Sequence, residues 1–214
     1  MEVKIRWICR MFLPVLLHRL ICMGADGIAR GMIRGAGPVW AGGAAAVAAA
    51  LICIPVMLRL EQFYKKEMKA APAYKGGVIL LLISMMAGLC CSFIGNSLII
   101  WIGNVWKIAA DAGQEGLKAM PLFLRLPGLC LITPAAEELV FRALFYEQGK
   151  QILPRGAALL LTAAVFAAGH GAGLQTGYAF LMSLLLSVFY DKAGLPACIL
   201  CHAGANLAVL LAGM

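Results

Sequence analysis

Six polar side chains stand in an otherwise apolar C-terminal stretch. Glu137, Glu138 and Arg142 lie in Pro-Ala-Ala-Glu-Glu-Leu-Val-Phe-Arg, His170 ends Phe-Ala-Ala-Gly-His, and His202 with Asn206 frames His-Ala-Gly-Ala-Asn. A charged side chain at the centre of a bilayer costs about 2.5–3.5 kcal/mol on insertion scales, so residues of this kind within apolar segments mark a functional site by default. Glu138 and Arg142 are four apart and share a helix face, which suits an ion pair. Glu137 points about 100° away from Glu138 around the helix, so its carboxylate can serve another purpose. His202 and Asn206 are also four apart and point the same way. His170 closes a short apolar helix at the glycine-rich bend Gly169, Gly171, Gly173.

Each residue has an ordinary structural explanation when taken singly. Glu138 with Arg142 reads as a structural ion pair. Glu137 fits a position at the water interface. A single histidine in an apolar helix reads as hydrogen-bonded structure, and a lone Asn206 as glue between helices. Together, a carboxylate, two histidines and an asparagine from three segments describe hydrolysis of an amide by activated water. A carboxylate in a low-dielectric site is a competent general base. A histidine beside it holds the same water, and an imidazole with an amide at helical spacing donates to a developing oxyanion. No serine or cysteine sits in a nucleophile motif. A catalytic zinc is the rival use of the same residues, with Glu137, His170 and His202 as ligands and a fourth position open for water. The His-Glu-x-x-His signature of many zinc proteases is absent.

The elements that carry these residues belong in lipid. Of 214 residues, 63% are hydrophobic and 13% charged, with a mean hydropathy of +0.90. A soluble domain carries about 25% charged residues, and no soluble core of this size could bury so much apolar surface. The net charge of +8 comes from Lys and Arg between long uncharged runs. It reads as membrane-flanking charge and not as a nucleic-acid surface, since no aromatic-and-basic stripe accompanies it. The eight cysteines form no disulfide framework; most lie in apolar stretches and behave as small hydrophobes. Cys198-Ile-Leu-Cys201-His202 matches a haem-attachment pattern, but its place inside an apolar helix argues against haem.

Along the chain, residues 1–36 form a basic, partly apolar segment, which suits either an interfacial helix or a broken first span. Residues 37–119 hold membrane helices and connectors: an uncharged run from Gly37 to Leu58 that Pro55 kinks or ends, a charged loop from Arg59 to Lys75, a second run from Gly76 to Trp106, and a polar connector from Lys107 to Lys118. Residues 120–214 form the core that carries the polar set. Pro127 and Pro134 mark breaks in its first helix, Asp191-Lys192 a tight turn, and Gly194–Met214 a last span. The expected fold is an all-α, polytopic transmembrane bundle of about six spans, with the N-terminal segment left unassigned. Lys and Arg flank both ends of the Gly37–Leu58 run, so charge counting gives no orientation.

The order Glu-Glu-x-x-x-Arg, Phe-x-x-x-His, His-x-x-x-Asn in apolar helices resembles the CPBP intramembrane protease family (also called ABI), which includes the CAAX prenyl endopeptidases and bacterial relatives linked to bacteriocin self-immunity. The likeness covers roughly residues 120–214, and Ala143 stands where relatives often have Gly. It implies an intramembrane endopeptidase acting on a membrane-associated protein or peptide. Glu137 would activate water with help from His170, His202 and Asn206 would form the oxyanion site, and Glu138 with Arg142 would hold the first helix in place. The family is often labelled metalloprotease. A metal-free mechanism is preferred here over zinc, because Asn206 is a poor zinc ligand and a good oxyanion donor.

The resemblance leaves a second class open: a non-catalytic membrane protein acting in bacteriocin self-immunity or as a scaffold. A small transporter would call for inverted repeats with interrupted helices in both halves, and the sequence holds no such symmetry. The compact chain leans towards a prokaryotic plasma membrane.

Overall fold

The computed structural model describes residues 2–32, 41–66, 76–106, 120–170 and 173–212. The Lys107–Lys118 connector, most of the loop up to Lys75, and Gly171 lie outside the described residues. Those described are helical apart from turns, and none forms a strand. In lipid no water is present to satisfy backbone groups, so a chain of this composition closes its hydrogen bonds within helices.

The helices are α1 (Glu2–Met32), α2 (Ala41–Lys65), α3 (Val78–Trp106), α4 (residues 122–149), α5 (Arg155–Ala167) and α6 (Leu174–Ala212). Among the described residues, four stretches are long and apolar enough to cross a membrane: Ile5–Gly31, Ala41–Lys65, Val78–Trp106 and Leu174–Leu211. The N-terminal segment that the sequence left unassigned is therefore a helix of spanning length. Its exposed side is mainly apolar, with Ile5, Ile8, Leu13, Leu16, Leu20, Met23 and Ile28 turned outward beside Arg6, Arg19 and Arg30. Two of the arginines that broke the sequence pattern, Arg6 and Arg10, sit beside aromatic rings: the Arg10 guanidinium lies 5.4 Å from the Trp7 ring centre and 5.1 Å from that of Tyr64. Such cation–π contacts fit the polar–apolar boundary, where a long side chain keeps its charge near water.

Proline marks fewer breaks than expected. α2 runs through Pro55 to Lys65, so Arg59 and Glu61 belong to the helix and not to a loop. α4 runs through Pro127 and Pro134, with right-handed helical dihedrals at every internal junction. It accommodates them by widened turns with i→i+5 bonding over Gly128–Ile132, just before Pro134, and again over Leu139–Tyr146. A wider turn relieves the clash of a proline ring with the preceding carbonyls, and such bulges recur at functional sites. The turn expected at Asp191-Lys192 falls instead on Gly194, whose φ of 77° and ψ of −178° bend the Leu174–Ala212 helix. A side chain disfavours that conformation and glycine does not. At 1.5 Å per residue the whole helix would be about 60 Å long, roughly twice a bilayer core, and the bend divides it into two lengths of about 30 Å. Cys198 Sγ donates to the Leu186 carbonyl across the bend at 3.1 Å.

The chain divides into two compact units, Met1–Ala71 with Glu115–Ala158, and Pro72–Gln114 with Leu159–Met214. In the first, α1, α2 and α4 pack together. The inward faces carry Met11 and Val15 from α1, Ala49, Cys53 and Met57 from α2, and nearly all of residues 138–149 from α4. In the second, α3 lies along α6. The buried stripe of α3 is Ser84, Gly88, Ser92 and Asn96, one small or polar residue per turn. Small residues let backbones approach where lipid offers no hydrophobic drive between helices. A Cβ on Gly88 would collide with the Cys201 carbonyl, and one on Gly204 with that of Met85. The opposite side of α3 turns Val78, Ile79, Leu82, Ile83, Met86, Phe93 and Trp101 outward.

Candidate active site

In the first unit the two adjacent glutamates have different surroundings. Glu138 and Arg142 are fully buried, and Arg142 Nη1 donates to Glu138 Oε1 at 3.0 Å. Removing both charges from water is costly, and only a close, hydrogen-bonded pair offsets it. The expected helix-face pairing is therefore present. It sits where α4 widens, so the bulged turn and the ion pair together fix this part of the helix. Glu137 is only partly buried, and its neighbour across the turn, Phe141, is 2% exposed. Lys150 Nζ closes the end of α4 by pairing with Glu147 Oε1 at 2.8 Å, over the Tyr146 ring.

The second unit gathers His170, His202 and Asn206. α5 ends at Ala167, and two tight hydrogen bonds, Gly169 N to the Phe166 carbonyl and His170 N to the Ala167 carbonyl, carry the chain round to His170. His170 Nδ1 donates to the Phe166 carbonyl at 2.8 Å. A carbonyl only accepts, so Nδ1 carries the proton and Nε2 is the basic nitrogen of the neutral ring. The Phe166 ring stacks on His170 with centroids 4.1 Å apart and meets the His202 ring edge-on at 6.0 Å. One aromatic ring thus contacts both histidines. His202 is 7% exposed and Asn206, one turn further along α6, is partly buried.

Sequence reasoning quoted Phe166 in the Phe-x-x-x-His motif but gave its ring no role between His170 and His202. The available signal was Phe166 itself, four residues before His170 and on the same helix face. Within neither unit do three or more His, Cys, Asp or Glu of the described residues form a metal-ligand set. None of the eight cysteines is in a disulfide. Cys198 and Cys201 are buried at the helix packing face with no exposure for a haem.

Residues 119–208 match the family model of the type II CAAX prenyl endopeptidases, Rce1-like. All three motifs fall inside the match. The resemblance drawn from them is thereby borne out for this part of the chain, and together with the span-length apolar helices the match points to an integral membrane protein. Searches of curated proteins and of solved structures give no match.

Proposed function

We propose that the chain is an intramembrane endopeptidase that hydrolyses a peptide bond of a membrane-associated substrate, of the kind carrying a prenylated C-terminus, without a metal. The observation that carries this reading is the contrast between adjacent glutamates: Glu138 is neutralised by Arg142 at 3.0 Å in full burial, while Glu137 is the partly accessible carboxylate. The family match supports the reaction class.

In this reading Glu137 removes a proton from water. His170, with Nδ1 committed to the Phe166 carbonyl, offers Nε2 to the same water and holds its orientation. The hydroxide equivalent attacks the scissile carbonyl carbon. Charge develops on the carbonyl oxygen, where the His202 imidazole N–H and the Asn206 amide donate; such donors are each worth about 10²–10³ in kcat when removed. The proton held by Glu137 passes to the leaving amine as the carbon–nitrogen bond breaks, which returns the carboxylate.

The test uses purified protein in lipid vesicles with a farnesylated CAAX peptide. Wild type is expected to cleave it, with Glu137→Gln and His170→Ala reduced at least a hundredfold. Cleavage that survives both substitutions would sink the proposal. Activity lost to a chelator and restored by zinc would replace the metal-free mechanism with a zinc one.

A further inference from the structure

The third histidine of the chain, His18, lies in the first unit on α1, outside the matched region. Three contacts fix how α1 runs past α4. A Cβ placed on Gly149 would sit 3.5 Å from Met11 Sδ. The Phe12 and Phe145 rings meet at 5.3 Å, and those of His18 and Phe141 at 6.3 Å, both edge-on. Position rises along α1 as it falls along α4, so the helices are antiparallel. One further turn on each brings Cys22 opposite Glu137. Two more observations agree. Cys22 Sγ lies 3.5 Å from His18 Nε2, and Cys22, with Cys53 of α2, is within electrostatic reach of the Glu137 carboxylate. His18 and Cys22 continue the face that begins with Met11 and Val15, both buried, and are themselves partly buried. The inner face of α1 is therefore apolar up to Val15 and polar at the level of Glu137.

We propose that His18 is a positioning residue for Glu137: with Cys22 it forms the polar wall, contributed by α1, that holds the carboxylate and its water in register. This rests on the endopeptidase reading for its kinetic consequence but not for its geometry. A helix outside the matched region thereby completes the base side of the site. An imidazole suits the task because it can donate to a carboxylate or accept from water with little rearrangement.

Two measurements test it. In vesicles, alkylation by N-ethylmaleimide is followed at Cys22 and, as an internal control, at the exposed Cys9 by mass spectrometry of the labelled peptides. A thiolate is the reactive species, and removing a neighbouring negative charge favours it. Glu137→Gln is expected to speed labelling at Cys22 at least threefold and leave Cys9 unchanged; an unaltered Cys22 rate overturns the proposal. In cleavage assays His18→Ala is expected to lower kcat about tenfold with KM within twofold of wild type, and His18→Gln, which keeps a donor and an acceptor, to recover most of the loss. Wild-type kcat in His18→Ala, or equal losses in both variants, overturns the positioning role. If wild type cleaves nothing while Cys22 still responds to Glu137→Gln, the endopeptidase reading has failed and the α1–Glu137 arrangement stands.

Discussion

The Phe166 ring lies stacked on the His170 imidazole, 4.1 Å between centroids and 26° between planes, and the same residue's carbonyl accepts from His170 Nδ1 at 2.8 Å. Backbone and side chain of one residue thus fix both the tautomer and the plane of the histidine. Phe166→Leu keeps the apolar volume and the carbonyl but removes the stacking face. Its kcat on the farnesylated peptide is expected to fall about tenfold, against a hundredfold or more for His170→Ala, in keeping with the range for general acid–base groups. A Phe166→Leu enzyme as fast as wild type would show that the ring does not orient the histidine.

The proposed reaction has Glu137 and His170 act on one water. Groups that act as a unit are grossly non-additive. The double variant Glu137→Gln/His170→Ala should therefore be no more than about threefold slower than the worse single variant. Multiplying losses in single-turnover assays would separate the two residues into independent steps.

Arg142→Ala leaves the Glu138 carboxylate buried without the guanidinium that now donates to it at 3.0 Å. Breaking a buried pair from one side costs about 3–5 kcal/mol, whereas replacing both members by neutral groups of similar size costs much less. Arg142→Ala should thus lower the unfolding midpoint in detergent sharply, and Glu138→Gln/Arg142→Met should recover part of it. A double variant as unstable as the single one would contradict the pair's structural role.

Gly88 and Gly204 hold α3 and α6 at backbone contact. Gly88→Ala and Gly204→Ala should each cost about 1–3 kcal/mol, the usual penalty of overpacking. Gly177→Ala provides the opposite sign: a Cβ there meets nothing within 4 Å, and alanine is favoured over glycine within a helix by about 1 kcal/mol. The three midpoints measured side by side check both signs.

The sequence by itself determined the solvent and the class of fold. With 63% hydrophobic and 13% charged residues, lipid was the consistent solvent, and uncharged runs of spanning length called for helices, which pair their backbone groups internally. It also determined the polar set and its local pairing, since i and i+4 spacing on a helix carries its own geometry: Glu138 with Arg142, and His202 one turn from Asn206. The family match over residues 119–208 takes in the same three motifs.

Tertiary structure decided what spacing along a chain does not encode. Proline positions predicted breaks at Pro55, Pro127 and Pro134, but α2 runs on through Pro55 as an α-helix, and α4 runs on by widening its turns. The bend of α6 fell on Gly194 and not on the charged Asp191-Lys192 pair, because backbone conformation, not polarity, selects the residue that turns. Most of all, two rings gained meaning only from packing. Phe166 joins His170 to His202, and Phe141 brings His18 of α1 to the turn that bears Glu137. Neither Phe166 with His202 nor His18 with Phe141 is close in sequence, and which apolar faces meet is settled by side-chain complementarity between helices that composition leaves undetermined.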